Sequence, residues 1–131
     1  MKDPQQELFT TIRTQLVELY GEGRVFDGYL PPEETPYPFV YLGDSQTVDD
    51  LGNKSVVLAN IFQHLTIWGS PTQRGTLSDM AADIKALLRG IRDTGTYAFR
   101  ILHISSQFDE EQETRTIRVD IDAEYKLQGG S

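Results

Sequence analysis

The sequence predicts an α+β fold: a mostly antiparallel sheet of about five strands with two amphipathic helices packed on one of its faces. Two segments carry apolar residues at helical spacing, one near the start of the chain and one in its second half. The other segments are rich in β-branched and aromatic residues, which favour strands. The final segment alternates apolar and polar residues, and this period of two is typical of a sheet that is covered on one side only.

The first helix is predicted from about Pro4 to Tyr20. Asp3 suits the N-cap, Pro4 suits the first helical position, and Gly21 supplies the stop. Because few of the neighbouring charges are basic, we interpret the apolar stripe as a face packed on the core rather than a membrane-binding face. The residues of this stripe are Leu8, Phe9, Ile12, Leu16, Leu19 and Tyr20.

Two strands are predicted to follow, a short one over Val25–Tyr29 and a longer one over Thr35–Asp44. Pro36 and Pro38 hold the residues before them in extended conformations, because the ring of a proline excludes the helical region for its predecessor. The segment Phe39-Val40-Tyr41-Leu42 is then an unbroken apolar run, which is typical of a buried strand.

The residues Ser45–Ser55 are predicted to form a polar loop, because Asp49-Asp50 favours a turn. Val56–Trp68 is the longest strand candidate and exceeds the usual length of a strand. Two interpretations of this length stay open. The strand either forms one arm of a hairpin with the Thr47 side, or it changes face at a bulge near Asn60.

The second helix is predicted to begin at Ser70-Pro71-Thr72-Gln73 and to end near Gly90. Serine is a good cap, proline suits the first position, and glutamine three residues after the serine closes a capping box. The apolar face of this helix consists of Leu77, Met80, Ala81, Ile84, Leu87, Leu88 and Ile91.

The fourth strand is predicted over Tyr97–Phe108, and the fifth is the segment with the period of two. An acidic hairpin tip, Asp109–Glu113, joins these two strands. Residues 128–131 are expected to form a flexible tail. The core face of the fifth strand consists of Ile117, Val119, Ile121, Ala123, Tyr125 and Leu127.

Length and composition limit the classes of function. The chain has 131 residues, and we expect residues 1–131 to fold as a single domain. Its formal net charge of −8 argues against a surface that grips nucleic acid, which needs clustered Lys and Arg. The lack of cysteine excludes disulfides and thiolate zinc sites. The sequence has no signal-peptide pattern and no apolar run long enough to cross a bilayer, so we expect a soluble, non-secreted protein with no membrane partner.

No residue pattern predicts catalysis, a metal site or a cofactor. His64 and His103 lie on predicted strands without a carboxylate in a matching motif, so we interpret them as structural or surface residues. Gly69-Ser70-Pro71 joins a strand to a helix but lacks the lysine and the spacing of a phosphate loop. We expect Trp68, at the end of the long strand, to cover the core beside the second helix rather than to anchor an interface.

The order of elements resembles the small tail-completion (tail-terminator, tail-to-head joining) proteins of long-tailed phages and their prophages. Two segments carry the resemblance, which spans about Leu8 to Leu127: Thr35-Pro36-Tyr37-Pro38-Phe39-Val40-Tyr41-Leu42-Gly43 and Leu65-Thr66-Ile67-Trp68-Gly69-Ser70.

The resemblance implies a structural protein without catalytic residues, metals or cofactors. Such proteins form rings, commonly of about six subunits, through head-to-tail contacts between copies. The rings cap the finished tail tube and meet the head connector, and DNA passes through the lumen without specific binding. The implied partners are further copies of the chain, the tail tube protein and the head connector protein. The implied location is the head-proximal end of the virion tail, after assembly in the host cytoplasm.

Two segments are our candidates for contacts with neighbouring subunits or partners, because exposed loops and overshooting strands offer edges for pairing. The first is part of the predicted loop and consists of Thr47, Val48, Asp49, Asp50 and Leu51. The second is at the predicted acidic tip and consists of Phe108, Asp109, Glu110 and Glu111.

Two other functions stay open. The chain is alternatively a small α+β ligand-binding or regulatory domain, for which we expect an exposed groove lined by Tyr29, Tyr41 and Trp68. A third hypothesis is an enzyme that uses His64 or His103 with nearby carboxylates.

Overall fold

The computed structural model describes residues 2–29, 31–50 and 58–130. Two helices and five strands follow one another along the chain, and short 3₁₀ turns precede the first strand and the second helix. The elements are α1 Pro4–Tyr20, β1 Val25–Asp27, β2 Phe39–Asp50, β3 Leu58–Gly69, α2 Arg74–Gly90, β4 Tyr97–Glu111 and β5 Thr116–Gly130. None of the helices in the described residues has the length and hydropathy to cross a membrane.

The five strands form one sheet in the order β1-β2-β3-β5-β4. β1 runs parallel to β2, and every other neighbouring pair is antiparallel. The last strand of the chain therefore lies inside the sheet, and β1 and β4 are its edges. The predicted α+β class and the mostly antiparallel sheet are confirmed.

Both helices cover the same face of the sheet. Val25, Val40, Ile67 and Val119 are cross-strand neighbours in one row, and all four are buried. They belong to one continuous core together with the apolar stripes of both helices. The fully buried helix residues are Leu8, Ile12 and Leu16 of α1 and Leu77, Ile84 and Leu88 of α2.

Both predicted N-terminal caps are present, although the second α-helix begins at Arg74 rather than directly after Ser70. The Asp3 carboxylate accepts hydrogen bonds from the backbone N–H groups of Gln5 and Gln6, so α1 has its N-cap. The second helix is preceded by a 3₁₀ turn over Pro71–Gln73, and the Gln73 side chain accepts a hydrogen bond of 2.9 Å from the backbone N–H of Ser70. This bond is the glutamine half of the predicted capping box.

The second half of β2 corrects the predicted loop. Ser45–Asp50 pairs with β3, whereas residues 51–55 of that loop lie outside the described residues. The register shifts between Leu42 and Ser45, so a bulge lies in β2 and not near Asn60 of β3. The buried Gln63 side chain stabilises this site by donating to the Gly43 carbonyl at 3.2 Å. The hairpin interpretation of the long strand is thereby confirmed, and the change of face near Asn60 is wrong.

Four other strand boundaries differ from the prediction. β2 begins at Phe39 rather than Thr35, and β1 ends at Asp27. β4 continues to Glu111, so the turn that joins it to β5 occupies residues 112–115 instead of Asp109–Glu113. β5 continues to Gly130, and residues 129 and 130 pair with β4 although a tail was expected there. Backbone hydrogen bonds between β4 and β5 extend both strands, and the amino-acid composition of these segments does not reveal that pairing.

Candidate assembly interface

One face of the sheet has no helix over it, and we call it the open face. Side chains alternate between the two faces along each strand, so the neighbours of the buried core residues point to this face. One of its rows contains Phe39, Trp68, Arg118 and Asp109 as successive cross-strand neighbours. This row of the open face therefore extends across β2, β3, β5 and β4, and it forms only when these four strands are paired.

An aromatic cluster lies at the β1–β2 side of the open face. The Phe39 ring meets Phe26 edge-on at 5.6 Å between centroids and stacks on Tyr37 at 5.5 Å. Trp68 lies in the same row as Phe39, with the Arg118 guanidinium 5.7 Å from its ring centroid. The expectation that Trp68 covers the core beside α2 is therefore wrong, because its side chain is on the face opposite the helices.

Arg118 holds together three carboxylates of the β4–β5 hairpin. Its guanidinium donates to Asp120 at 3.1 Å, to Asp109 at 3.3 Å, and to Glu111. The hydrogen bond that Arg118 donates to Asp120 is the main cause of the raised pKa of Arg118, and the Glu111 carboxylate adds to it. The arginine thus fixes the end of the hairpin by charge-assisted hydrogen bonds.

His64 lies between two carboxylates of β5. Its Nδ1 is 2.7 Å from an Asp122 oxygen, and its Nε2 is 3.1 Å from the Thr66 hydroxyl and 3.3 Å from an Asp120 oxygen. His64 and His103 both line a shallow cavity of about 430 Å³ on the open face. Within the described residues, no group of three His, Cys, Asp or Glu side chains is placed to hold a metal ion.

On β4 and β5 the open face carries a net negative charge. β4 and β5 place five carboxylates there against three cations. The carboxylates are Asp109, Glu111, Asp120, Asp122 and Glu124, and the cations are Arg100, Arg118 and Lys126. An anionic polymer that passes over this face meets more repulsion than attraction.

The first predicted interface segment forms the end of β2. The Thr47 hydroxyl bonds to the Gln5 side chain of α1, so Thr47 is tied to the core side. Val48 is 49% exposed and Asp49 is exposed. Asp50 is the last residue of the strand, and Leu51 lies outside the described residues.

The second predicted interface segment is engaged within the chain. The guanidinium of Arg74 lies 4.3 Å from the Phe108 ring centroid and 3.5 Å from a Glu110 oxygen. Asp109 and Glu111 bind Arg118, as described above. The segment is therefore an ordered strand end with paired charges rather than a mobile acidic tip.

The structure places the two predicted segments at opposite ends of the sheet. Asp109 is level with Phe39, the first residue of β2. Val48, near the end of β2, is level with Arg100, near the start of β4. One subunit thus presents the β2–β3 hairpin at one end and the β4–β5 hairpin at the other.

A ligand-binding domain was expected to have a groove lined by Tyr29, Tyr41 and Trp68. The two largest described cavities lie elsewhere. Tyr29 is 91% exposed, and the Tyr41 hydroxyl donates to the Gly28 carbonyl at 3.1 Å. The largest described cavity, about 1070 Å³, is an open groove between α1 and α2. The sequence analysis did not predict this groove. The signal for it is Leu19, an apolar residue of the predicted stripe, which lies in the wall of the groove and is 49% exposed.

Comparisons with known proteins agree with one another. The family model described as "Tail completion protein gp17" matches residues 6–126. A chain in the solved structure of the virion of a native gene transfer agent particle is 18% identical, with a TM-score of 0.67, over 96% of this chain and 95% of that chain. A second solved structure is 14% identical, with a TM-score of 0.60, over 96% of this chain and 97% of that chain. At these identities the structural likeness shows a shared fold, and no curated protein sequence matches the chain.

Proposed function

Because the chain belongs to the tail completion protein gp17 family, it is a structural protein of phage tail assembly, and we propose that it forms a ring that caps the tail tube and joins it to the head connector. The observation that carries this proposal is the family match, which includes both helices and nearly the whole sheet. The similar chain in a gene transfer agent virion supports a place within a particle. The proposed location is the head-proximal end of the tail, reached after assembly in the host cytoplasm.

In the proposed ring, of about six copies, the open face lines the lumen and the helices lie outside. A helix-free sheet with an excess of carboxylates presents few cations to phosphate groups, so DNA slides past without being held. The chain's net charge of −8 agrees with this role. A specific DNA-binding surface needs the opposite charge.

The two ends of the subunit form the two rims of the proposed ring. The β2–β3 hairpin lies at one end of the sheet and the β4–β5 hairpin at the other, so each rim carries different side chains. A joining protein needs two such rims, because it contacts the tail tube protein on one side and the head connector protein on the other. The ordered cluster around Arg118 supports the second rim as a rigid contact.

The test combines solution mass with tail binding. Light scattering over a range of concentrations is expected to show a ring-sized species, or a monomer that becomes one when capless tail tubes are added. Electron microscopy of those tails is expected to show a cap at one end. A protein that is monomeric at every concentration and does not bind tails would falsify the proposal.

A matched pair of variants tests whether the end of the sheet that carries Val48 is a contact surface. Val48 and Leu19 are equally exposed, at 49% each, but Val48 lies on the open face at the β2 end whereas Leu19 lies in the groove between the helices. Val48→Asp is expected to reduce incorporation into tails about tenfold or more, because a charge in an apolar contact has to be desolvated. Leu19→Asp is expected to leave incorporation unchanged, and equal losses in both variants would contradict the assignment of this end.

A further inference from the structure

The outer edge of β4 is free for most of its length. Residues 92–94 cover only the start of the strand, where the Thr94 N–H donates to the Tyr97 carbonyl at 2.9 Å and the Phe99 N–H donates to the Arg92 carbonyl at 2.7 Å. From Arg100 to Glu111, no described strand lies beside this edge. An edge strand of this length presents a row of unpaired N–H and C=O groups, which is a template for another strand.

A second free edge lies on the opposite side of the sheet. β1 pairs only with Val40–Leu42, so the outer edge of Gly43–Asp50 has no described strand beside it. The sheet therefore ends in two different open edges of similar length, one on β4 and one on β2. Two different surfaces that complement each other are what a head-to-tail ring requires.

The charges beside the two edges are complementary. Lys85 and Arg100 lie along the β4 side, and neither makes an ion pair with a described residue. Lys85 marks this side by donating to the Ser106 hydroxyl at 3.1 Å. On the β2 side, Asp44 and Asp49 are exposed and make no ion pair within the described residues. Opposite charges at the same level of the sheet favour one partner and one register.

We infer that the Arg100–Gln107 half of β4 pairs with Gly43–Asp50 of the next copy, so that the sheet continues from subunit to subunit. This inference rests on the proposed ring. Strand directions alternate from β2 through β3 and β5 to β4, so β2 and β4 of one copy run in opposite directions. A rotation about an axis along the strands keeps these directions, and β2 of the next copy is therefore antiparallel to β4 of the first. Every subunit then has its open face on the inside.

The bulges and the size of such a ring fit the inference. The register shift between Ile101 and His103 adds local twist and bend, which a closed ring of sheets needs. At the level of this pairing each copy contributes four strands, β2, β3, β5 and β4, because β1 lies beside β2 only at Val40–Leu42. About six copies therefore place about 24 strands side by side, and at about 4.8 Å per strand the ring is roughly 37 Å across between backbones. A DNA duplex fits through that opening.

Charge reversal at the edge is the first test. Arg100→Glu is expected to raise the protein concentration for half-maximal ring formation at least about tenfold, because it replaces a cation with a carboxylate at the level of Val48, next to the exposed Asp49 of the β2 edge. Asp49→Lys in the same chain is expected to restore assembly. Lys126→Glu is the matched control, since Lys126 pairs with Arg100 in the same row but lies one strand further from the edge.

Cysteine pairs test the contact directly, because the chain has no cysteine of its own. Cysteine at Gln46 is combined with cysteine at His103, Ser105 or Gln107, which samples three registers of the pairing. Under oxidation one of these pairs is expected to give a ladder of linked subunits up to the ring mass. The pair of Gln46 with Lys126 is the control and is expected to give none.

The outcomes separate this inference from the proposed function. If the unmodified protein forms rings but no pair cross-links and Arg100→Glu assembles normally, the edge pairing is wrong and the ring stands. If the unmodified protein stays monomeric with and without tails, both are wrong.

Discussion

At Gly69 the side chain of Leu77 in α2 packs closely against the backbone of β3. A Cβ atom at this position would lie 2.4 Å from one methyl carbon of Leu77 and 3.1 Å from the other. Carbon atoms in proteins rest about 3.5–4.0 Å apart, so Gly69→Ala forces the nearer methyl group to move by more than about 1 Å. Leu77 has no exposed surface, and its side chain can move only by displacing other core residues.

The expected loss follows from this clash. Overpacking of a closed core by one methyl group destabilises a protein by about 1–3 kcal/mol. For a domain of this size a loss of about 2 kcal/mol lowers the melting temperature by roughly 5–10 °C. The backbone gain of replacing glycine by alanine, at most about 1 kcal/mol, offsets only part of this loss.

Circular dichroism during thermal and urea unfolding measures the effect, with Gly75→Ala as the control. An added Cβ at Gly75, near the start of α2, meets nothing within 4 Å, so this variant is expected to be as stable as the unmodified protein or up to about 1 kcal/mol more stable. Combining Gly69→Ala with Leu77→Ala should cost less than the sum of the single losses, because the smaller side chain removes the clash. Strict additivity, or a Gly69→Ala variant that melts no lower, would refute the reasoning.

Three further predictions concern single side chains. Tyr125→Phe is expected to destabilise the protein by about 1–2 kcal/mol in urea unfolding, because the buried hydroxyl that donates to the Leu88 carbonyl at 2.6 Å is lost; a change below about 0.3 kcal/mol would show that this bond is worth nothing net. Burial raises the pKa of Tyr20 to about 12, so this tyrosine ionises first in the unfolded chain, and the free energy of unfolding falls as pH rises from about 10 to 12. Tyr20→Phe should make that fall less steep. An unchanged dependence of the unfolding free energy on pH would contradict the raised pKa. His64→Ala is expected to leave ring mass and tail incorporation unchanged, and a loss of either would give the histidine an active role.

The helices and the last strand could be predicted because their apolar residues match a single period. In α1 and α2 most of the predicted stripe is buried in the core, and its residues that are not fully buried are Phe9, Leu19, Tyr20 and Leu87. In β5 the alternation survives at every core position from Ile117 to Leu127.

The second half of β2 could not be predicted, because its core-facing positions are polar. Ser45 and Thr47 face the helix side, where α1 residue Gln5 meets Thr47, and the bulge before them breaks the alternation. The partner of that bulge, Gln63, is a buried glutamine whose role depends on a carbonyl twenty residues away in the sequence. No local pattern contains that information.

The candidate site was predictable only as two segments, and their assignment as interfaces stays a prediction. The sequence shows that Asp109 and Glu111 are acidic, but it does not show that Arg118 holds both, because this depends on the register of the hairpin. The free edges likewise follow from the strand order, which places the last strand inside the sheet. Trp68 was assigned to the wrong face although the alternation in Leu65-Thr66-Ile67-Trp68 places it opposite Leu65 and Ile67, because a large aromatic residue beside a helix was expected to cover the core.

The position of β5 has a consequence for how the chain folds during synthesis. β5 leaves the ribosome after the other four strands of the sheet, yet it pairs with both β3 and β4 along most of its length. Until it emerges, β4 has no partner and β3 has only one, so the core stays open on the side of α2. Such non-local pairing makes folding slow and leaves nascent strands exposed. Chains growing close together on one message therefore risk pairing with each other until β5 pairs with β3 and β4 and completes the interior of each sheet.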